Sequence, residues 1–509
     1  MLKCEYKHNG CDKMRYKHIF WDWNGTLIDD VGNALACVND MLERKNRKPI
    51  TLDEYYTYIE TPIIGFYRYI LPPEELDFDE ISKNYHLDYI RHLPETKLAY
   101  GCEEVLSQLK EAGAKQYIVT ATHIDEATAL TRQYGVDGYF DAILGAQDNL
   151  AESKVERAVA FFEENGINPN EAIFVGDTLH DLETANAMGI ACILVEYGHQ
   201  GKRLLSGCGA YVANTLKTVR NIIFDDRMID LHAHSNCSDG SLSPSEFVVH
   251  AKECGLSDVA LTDHDGIDGI DEALRKAAEI GMGLIPGIEF SVVADTEIHI
   301  IGLFIDHKNE KLVSLVDRIK KQRTERMKDI CTRLQALGID ITFEDAKRLT
   351  AKDEYVGRPH IAAALLEKGY TSCYKEAFEK YIGHGKPAYS PRTAPTAAEA
   401  IGAIKAAGGL AFWAHLNQTG YSDETIREKL KEFKSYGLCG IEGYYSEYTP
   451  DMIRRYRALA TELRLAFAGG SDFHGDAKQG LEMGSGYGSL YIPRHVLGNL
   501  LSIKQPKNE

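Results

Sequence analysis

Between residues 228 and 474 the chain repeats one device: a short apolar run closing on or near a histidine or a carboxylate. The runs are MIDLHAH, DVALTDHD, GLIPGIEFSV, EIHIIGLFID, GLAFWAHL, GIEGYY and LAFAGGSDFH. Amphipathic segments such as PSEFVVHAKECG, EALRKAAEIG and IREKLKEFKSYG separate them. Strands alternating with helices build a sheet of βα units, and a series this long is expected to close into a barrel. Groups at the C-terminal strand ends of such a barrel meet at one rim. The pattern thus directs His232, His234, Asp239, His264, Glu289, His299, His415, Asp472 and His474 to a single mouth. His232 and His234 flank one residue, so both side chains leave the same face. That many ionisable groups are not buried together without cations to pair them.

The preceding part follows a related pattern. From Lys17 to Arg227, the strands HIFWDWN, KQYIVTAT, FDAILGA, EAIFVGDT and ACILVEYG alternate with amphipathic helices. This is the pattern of a doubly wound α/β sheet. Residues 33–94 contain no comparable strand and predict an inserted helical cap; residues 307–391 likewise predict a helical insertion over the barrel rim. The expected organisation is a tail at 1–16, an α/β domain at 17–227 and a barrel at 228–509, a division that suits 509 residues.

The formal charge of −19 disfavours long duplex nucleic acid as a stable partner. Any phosphorylated substrate then needs local help from metals or arginines. The 11 cysteines form no CxxC pair, and the N-terminus is charged rather than apolar, so a reducing cytoplasm is expected. No apolar run approaches the roughly 20 residues of a membrane-spanning helix.

The order HxH, D, TDHD, GxE, H, AH and SDxH resembles the PHP (polymerase and histidinol phosphatase) superfamily from about Met228 onward. DLHAHSNCSDG, ALTDHDG, GRPHIA and GHGKPAYSP are similar to its branch of nucleoside 3′,5′-bisphosphate phosphatases and 5′-to-3′ exoribonucleases. The resemblance implies a distorted seven-unit barrel holding two or three divalent metals, with His232, His234, Glu289 and Asp472 at the first and Asp239, His264 and His474 at the second. Glu289 would bridge to a third held with His299 and His415. Imidazole with carboxylate suits manganese, iron or zinc. Asp263 and Asp265 are candidates either for fixing imidazole tautomers or for capping the next helix. The resemblance makes Arg358 and His360 a phosphate clamp, with Lys386 and Arg392 as weaker candidates.

FWDWNGTL, followed by Thr120, Lys154 and GDTLHD, resembles the haloacid dehalogenase (HAD) superfamily. By that resemblance Asp22 is the nucleophile, Thr120 and Lys154 hold the phosphoryl group, and Asp177, Asp181 and Asn24, through its backbone carbonyl, join Asp22 around magnesium. Phosphatases of this family usually carry a second Asp as general acid and base where this chain has Asn24. An amide cannot exchange that proton, so turnover is expected to slow by about 100–10,000-fold. His123 and His180 are possible substitute donors. DWNGT is also similar to the DWAGT of phosphonoacetaldehyde hydrolases, whose cap lysine the sequence does not identify here.

Together these features imply a metal-dependent phosphoesterase acting on a small phosphorylated nucleotide or a short single-stranded RNA, with a HAD site that binds or slowly hydrolyses a monoester. The alternative is a histidinol-phosphate-like or other small-monoester phosphatase whose HAD half is regulatory.

Overall fold

The computed structural model describes residues 14–59, 63–147, 153–350 and 356–504; most of the expected tail at 1–16 lies outside them. Two compact units result. The first holds the described residues up to Asp226, together with Thr449–Ala466 and the described residues from Pro493 onward; the second holds Arg227–Tyr448 and Phe467–Ile492.

In the first unit the strands are β1 (His18–Trp21), β2 (Ile28–Asp29), β3 (Lys97–Leu98), β4 (Lys115–His123), β5 (Ala142–Ala146), β6 (Ala172–Gly176), β7 (Ala191–Val195) and β8 (Tyr211–Ala213). All but β2 and β3 form one parallel sheet in the order β5-β4-β1-β6-β7-β8. Ile19, Phe20, Trp21, Phe174 and Val175 are fully buried, as expected of central parallel strands covered on both faces. The short antiparallel pair β2-β3 frames the cap. The helices Val31–Arg44, Leu52–Tyr58, Ile64–Ile70 and Phe78–His92 fill the span expected for it, packing Val38, Leu42, Tyr55, Phe66 and Ile81 into their own core.

The second unit contains β9 (Met228–Asp230), β10 (Leu256–Leu261), β11 (Gly283–Val293), β12 (Glu297–Leu303), β13 (Leu410–Trp413), β14 (Leu438–Tyr445) and β15, which spans Ala466–Gly470. They run in the order β15-β14-β13-β12-β11-β10-β9. Beyond the strand ends the sheet nearly closes: Leu231 N–H donates to the Gly469 carbonyl at 3.0 Å, and Asp472 N–H to that of His232 at 2.8 Å. One detail departs from uniform βα alternation. β11 and β12 form an antiparallel hairpin, and β12 is antiparallel to β13 as well. The start of β12, rather than its end, therefore faces the rim, which is how His299 reaches it. The insertion carries its own apolar core around Ile330, Leu334, Ile361 and Leu365.

The span 228–509, read from sequence as one domain, gives two pieces to the first unit. The helix Pro450–Glu462 buries Tyr456, Arg457 and Leu459, and Thr461 Oγ1 accepts from Asn186 Nδ2 at 2.8 Å. An amphipathic pattern demands a partner for its apolar face without naming it.

Candidate metal centres

The HxH pair rides the barrel seam. Ala233 is bridged to Phe473, and His234 N–H donates to the Phe473 carbonyl at 2.9 Å, so His232 and His234 stand beside Asp472 and His474. β11 continues past the rim and delivers Glu289 from its middle, paired in register with Ile301 and bridged to His264. Asp265, His415 and Asp472 have positive φ values of 51°, 27° and 60°. Non-glycine residues hold that backbone only where the surrounding structure enforces it, and here it turns the chain at the rim.

The Glu289 carboxylate is the hub. Its Oε1 lies 3.2 Å from His232 Nε2, 3.0 Å from His299 Nδ1 and 3.0 Å from His415 Nε2. Its Oε2 lies 2.9 Å from His264 Nδ1 and 3.4 Å from His234 Nε2. Asp472 Oδ1 is 3.3 Å from His234 Nε2 and 3.4 Å from His474 Nδ1; Asp239 Oδ1 is 3.3 Å from His474 Nε2. All nine residues singled out in the sequence thus share one cluster. Within it, three sets place their ligand atoms within 4.8 Å of one another: His232, His234 and Glu289; His234, Asp239, His264 and His474; and His264, Glu289 and His299. His234 and His264 each serve two sets, a closer sharing than the assignment implied by resemblance.

The donor set fits cations. His232 Nε2, both ring nitrogens of His234, His264 Nδ1 and Glu289 Oε2 are buried without a hydrogen-bond partner. Burial, then His474 and His264, push His234 down to about 3, leaving a neutral imidazole with one ring-nitrogen lone pair available. Burial opposes ionisation of Glu289, yet His232, His264 and His299 hold it well below the usual carboxylate range. Burial likewise opposes charge on His299, while Glu289 and then Glu297 push it up to about 10.

Several supporting residues escaped the sequence reading. Glu442, fully buried in β14, accepts from His232 Nδ1 at 2.8 Å and from the His415 backbone N–H at 2.7 Å. The lone charge in the apolar strand GIEGYY was its available signal. Tyr445 Oη and Lys478 Nζ both donate to Asp472 Oδ2, at 3.1 and 2.5 Å. Neither role expected for Asp263 and Asp265 is seen. Asp263 accepts from Ser235 and Ser238 and braces the HxH loop. Asp265 Oδ2 accepts from Arg323 at 3.1 Å and Arg392 at 2.8 Å.

A cavity of about 260 Å³ opens beside the cluster, lined by Asp239, His264 and His299 and also by Arg323, Arg326, Arg358 and Arg392. His360 is not among its lining residues. Its Nδ1 accepts from the Gly357 N–H at 3.0 Å and caps the helix Arg358–Glu367, so of the pair expected as a clamp only Arg358 lines the cavity. Lys386 is exposed and also absent from the lining.

In the first unit, Asp22 follows β1, Thr120 lies near the end of β4 and Asp177 follows β6, three neighbouring strands whose ends converge. Ser153 caps the helix Lys154–Glu164 and sets Lys154 at its first position, from which Nζ reaches Asp22 Oδ1 and Asp181 Oδ1, both at 2.5 Å. Burial pushes Asp22 up to about 6, with Lys154 opposing. Asp22, Asp177 and Asp181 present ligand atoms within 4.8 Å of one another, and an all-oxygen triad suits a hard cation. Asp181 commits Oδ2 to Asp177 N–H, Thr178 N–H and Thr178 Oγ1, which makes it the more constrained of the three. Thr120 Oγ1 accepts from Thr122 N–H at 3.1 Å.

The Asn24 amide is fully engaged. Nδ2 donates to Asp30 Oδ2 at 2.9 Å and to Tyr89 Oη at 2.8 Å, and Oδ1 accepts from Thr122 Oγ1 at 2.8 Å. Neither proposed substitute joins it: His123 caps the helix Ile124–Gln133, and His180 pairs with Glu183. The histidine that does approach is His199, whose Nε2 lies 3.2 Å from Asp30 Oδ1 and whose Nδ1 lies 3.0 Å from Tyr55 Oη.

Residues 230–407 match the PHP domain family, and residues 19–195 match the haloacid dehalogenase-like hydrolase family. A 5′-3′ exoribonuclease of Haemophilus influenzae is 38% identical over 246 residues, covering 48% of this chain and 89% of its own length. A 3′,5′-nucleoside bisphosphate phosphatase of Chromobacterium violaceum is 33% identical over 257 residues, covering 50% of this chain and 90% of its own. A phosphoglycolate phosphatase of Pseudomonas fluorescens is 26% identical over 211 residues, covering 40% of this chain and 77% of its own. Among the described residues, no helix is long and apolar enough to cross a membrane.

Proposed function

The chain belongs to the PHP family and carries a haloacid dehalogenase-like domain ahead of it, and on that premise we propose that its barrel mouth removes phosphate from nucleoside 3′,5′-bisphosphates or the 5′ ends of short single-stranded RNA. It is a hydrolase acting on phosphoester bonds. The observation that carries the substrate reading is the shared cavity, where Asp239, His264 and His299 line the same space as four arginines. Burial, then Arg358 and Arg392, lower the affinity of Arg326 for its proton; that concentration of like charge calls for an anion. A substrate with one phosphate at the cluster and a second among guanidinium forks satisfies both ends.

When bound, manganese, iron or zinc at the mouth supplies Lewis acidity toward phosphorus. The chain prepares for it. Glu442 accepts a hydrogen bond from His232 Nδ1–H and so leaves Nε2 as the atom for the metal, while Tyr445 and Lys478 occupy Asp472 Oδ2 and leave Oδ1 facing His232 and His234. In the first unit, Asp22, Asp177 and Asp181 are the residues for magnesium, and Lys154 offsets the charge of Asp22 and Asp181. With Asn24 locked to Asp30, Tyr89 and Thr122, that site binds a phosphate monoester or hydrolyses it slowly.

The test is phosphate release by manganese-loaded protein from adenosine 3′,5′-bisphosphate and from adenosine 5′-monophosphate, with Asp22→Asn protein alongside. The proposal expects the bisphosphate to be strongly preferred and its first phosphate to be released equally by Asp22→Asn. Equal use of both substrates would favour the small-monoester alternative.

A further inference from the structure

The helix Pro244–Glu253 ends on Cys254, and His250 stands four residues before it, so both side chains leave one face. Opposite them is Glu482, in the stretch 475–492, where the only helix among the described residues is the short turn Gly475–Ala477. His250 Nε2 lies 2.7 Å from Glu482 Oε1 and 3.5 Å from Cys254 Sγ, and Sγ lies 3.8 Å from Oε1. Phe473 stacks on the His250 ring, with centroids 5.2 Å apart, and fixes its plane.

We propose that His250, Cys254 and Glu482 form a binding site for a single zinc ion, separate from the barrel-mouth cluster. Tetrahedral zinc with bonds of about 2.0–2.3 Å holds its ligand atoms roughly 3.3–3.8 Å apart. The two edges that include Sγ already lie near that range. The His250–Glu482 edge is a hydrogen bond, and it opens by about 0.6 Å as the ion takes the place of the Nε2 proton, the neutral ring then carrying its proton on Nδ1. A thiolate beside an imidazole and a carboxylate selects zinc or cobalt over magnesium and manganese. The end of the helix adds the negative pole of its dipole. Binding sends the Cys254 thiol proton to solvent, and a fourth position remains for water on the exposed side, where Glu482 is 53% accessible.

The site would fasten the stretch 475–492 to the helix. That stretch delivers Lys478 to Asp472 and the Gly484 N–H to Asp230, so its anchorage bears on the rim. Its role is structural: none of the three side chains lines the arginine cavity.

Cobalt titration of the intact metal-stripped chain separates this site from the barrel mouth, whose nine ligands include no sulfur. The proposal expects a thiolate-to-cobalt charge-transfer band in the near ultraviolet, abolished by Cys254→Ser and retained by Cys237→Ser, the control for the cysteine in the HxH loop. Should Cys254→Ser fail to fold, His250→Gln and Glu482→Gln, which keep the thiol, are each expected to weaken the cobalt titration of that band by about tenfold or more. Absence of the band in the parent chain would overturn the assignment, as would its persistence in folded Cys254→Ser or unchanged affinity in both ligand variants.

Discussion

Glu442 Oε1 accepts the Nδ1 proton of His232 at 2.8 Å, and its Oε2 accepts the His415 N–H at 2.7 Å, so one buried carboxylate orients two histidines of the cluster. A carboxylate behind a ligating imidazole fixes the tautomer and raises its basicity. Glu442→Gln keeps the shape and loses the charge. Metal affinity measured by competition with a chromophoric chelator is expected to fall about 10–100-fold, with the fold retained by circular dichroism.

Arg358 lines the cavity without touching the cluster. Arg358→Ala is therefore expected to raise KM for a nucleoside bisphosphate by about 10–100-fold, the worth of a charge-assisted contact, while kcat changes little. Steady-state kinetics decides it. An equal fall in kcat would place Arg358 at the reacting phosphate instead.

Asn24→Asp sets a carboxylate where an amide now donates to Asp30 Oδ2. Two facing carboxylates raise the new group's folded pKa above its unfolded value. Stability relative to the parent is then lowered above that folded pKa and recovers as pH falls through it. Thermal unfolding at pH 8 and pH 5 is expected to show a deficit of about 1–3 kcal/mol at the higher pH that shrinks at the lower. The shared proton also restores a donor to the site, so turnover of 4-nitrophenyl phosphate is expected to rise toward pH 5.

His495 lies between Tyr16 and Tyr211, with ring centroids 6.4 and 6.5 Å away. Burial pushes it down to about 4, with Asp225 opposing and Arg457 adding. The unfolded chain therefore binds a proton at His495 that the folded chain refuses. Its neutral form is fully compatible with the fold above the ordinary imidazole pKa of about 6.5, and stability is lost as pH falls from there toward 4. His495→Gln is expected to flatten the pH dependence of unfolding between those limits by up to roughly 3 kcal/mol, read by denaturant titration.

Most of the cluster was legible because its residues stand within or just after short apolar runs, where an ionisable group is conspicuous; Asp239 lies in the loop beyond the HxH pair. Glu442 is equally conspicuous but contacts the ligands from behind, and strand periodicity alone does not tell a ligand from its support. The reversal of β12 was hidden because EIHIIGLFID reads identically in either direction of pairing, although it decides how His299 reaches the rim. Asp263 and Asp265 were misread because adjacency to His264 suggested partnership, whereas their bonds run to Ser235 and Ser238 and to Arg323 and Arg392. The same limit applies to Asn24. Its departure from the family pattern is visible in the sequence, but the residues that lock it, Asp30, Tyr89 and Thr122, are distant in the chain or lack any motif.

The central claim is that several divalent cations gather around Glu289. Elemental analysis of the purified full chain and of its Glu289→Ala variant, both carrying Cys254→Ser and Asp22→Asn so that the other two cation sites are weakened, tests it most directly. The account predicts about two or three transition-metal ions per parent chain, most of them lost in Glu289→Ala, together with phosphoesterase activity. A parent chain that holds less than one ion after loading with manganese, iron or zinc, or a variant that holds as many as the parent, would contradict it.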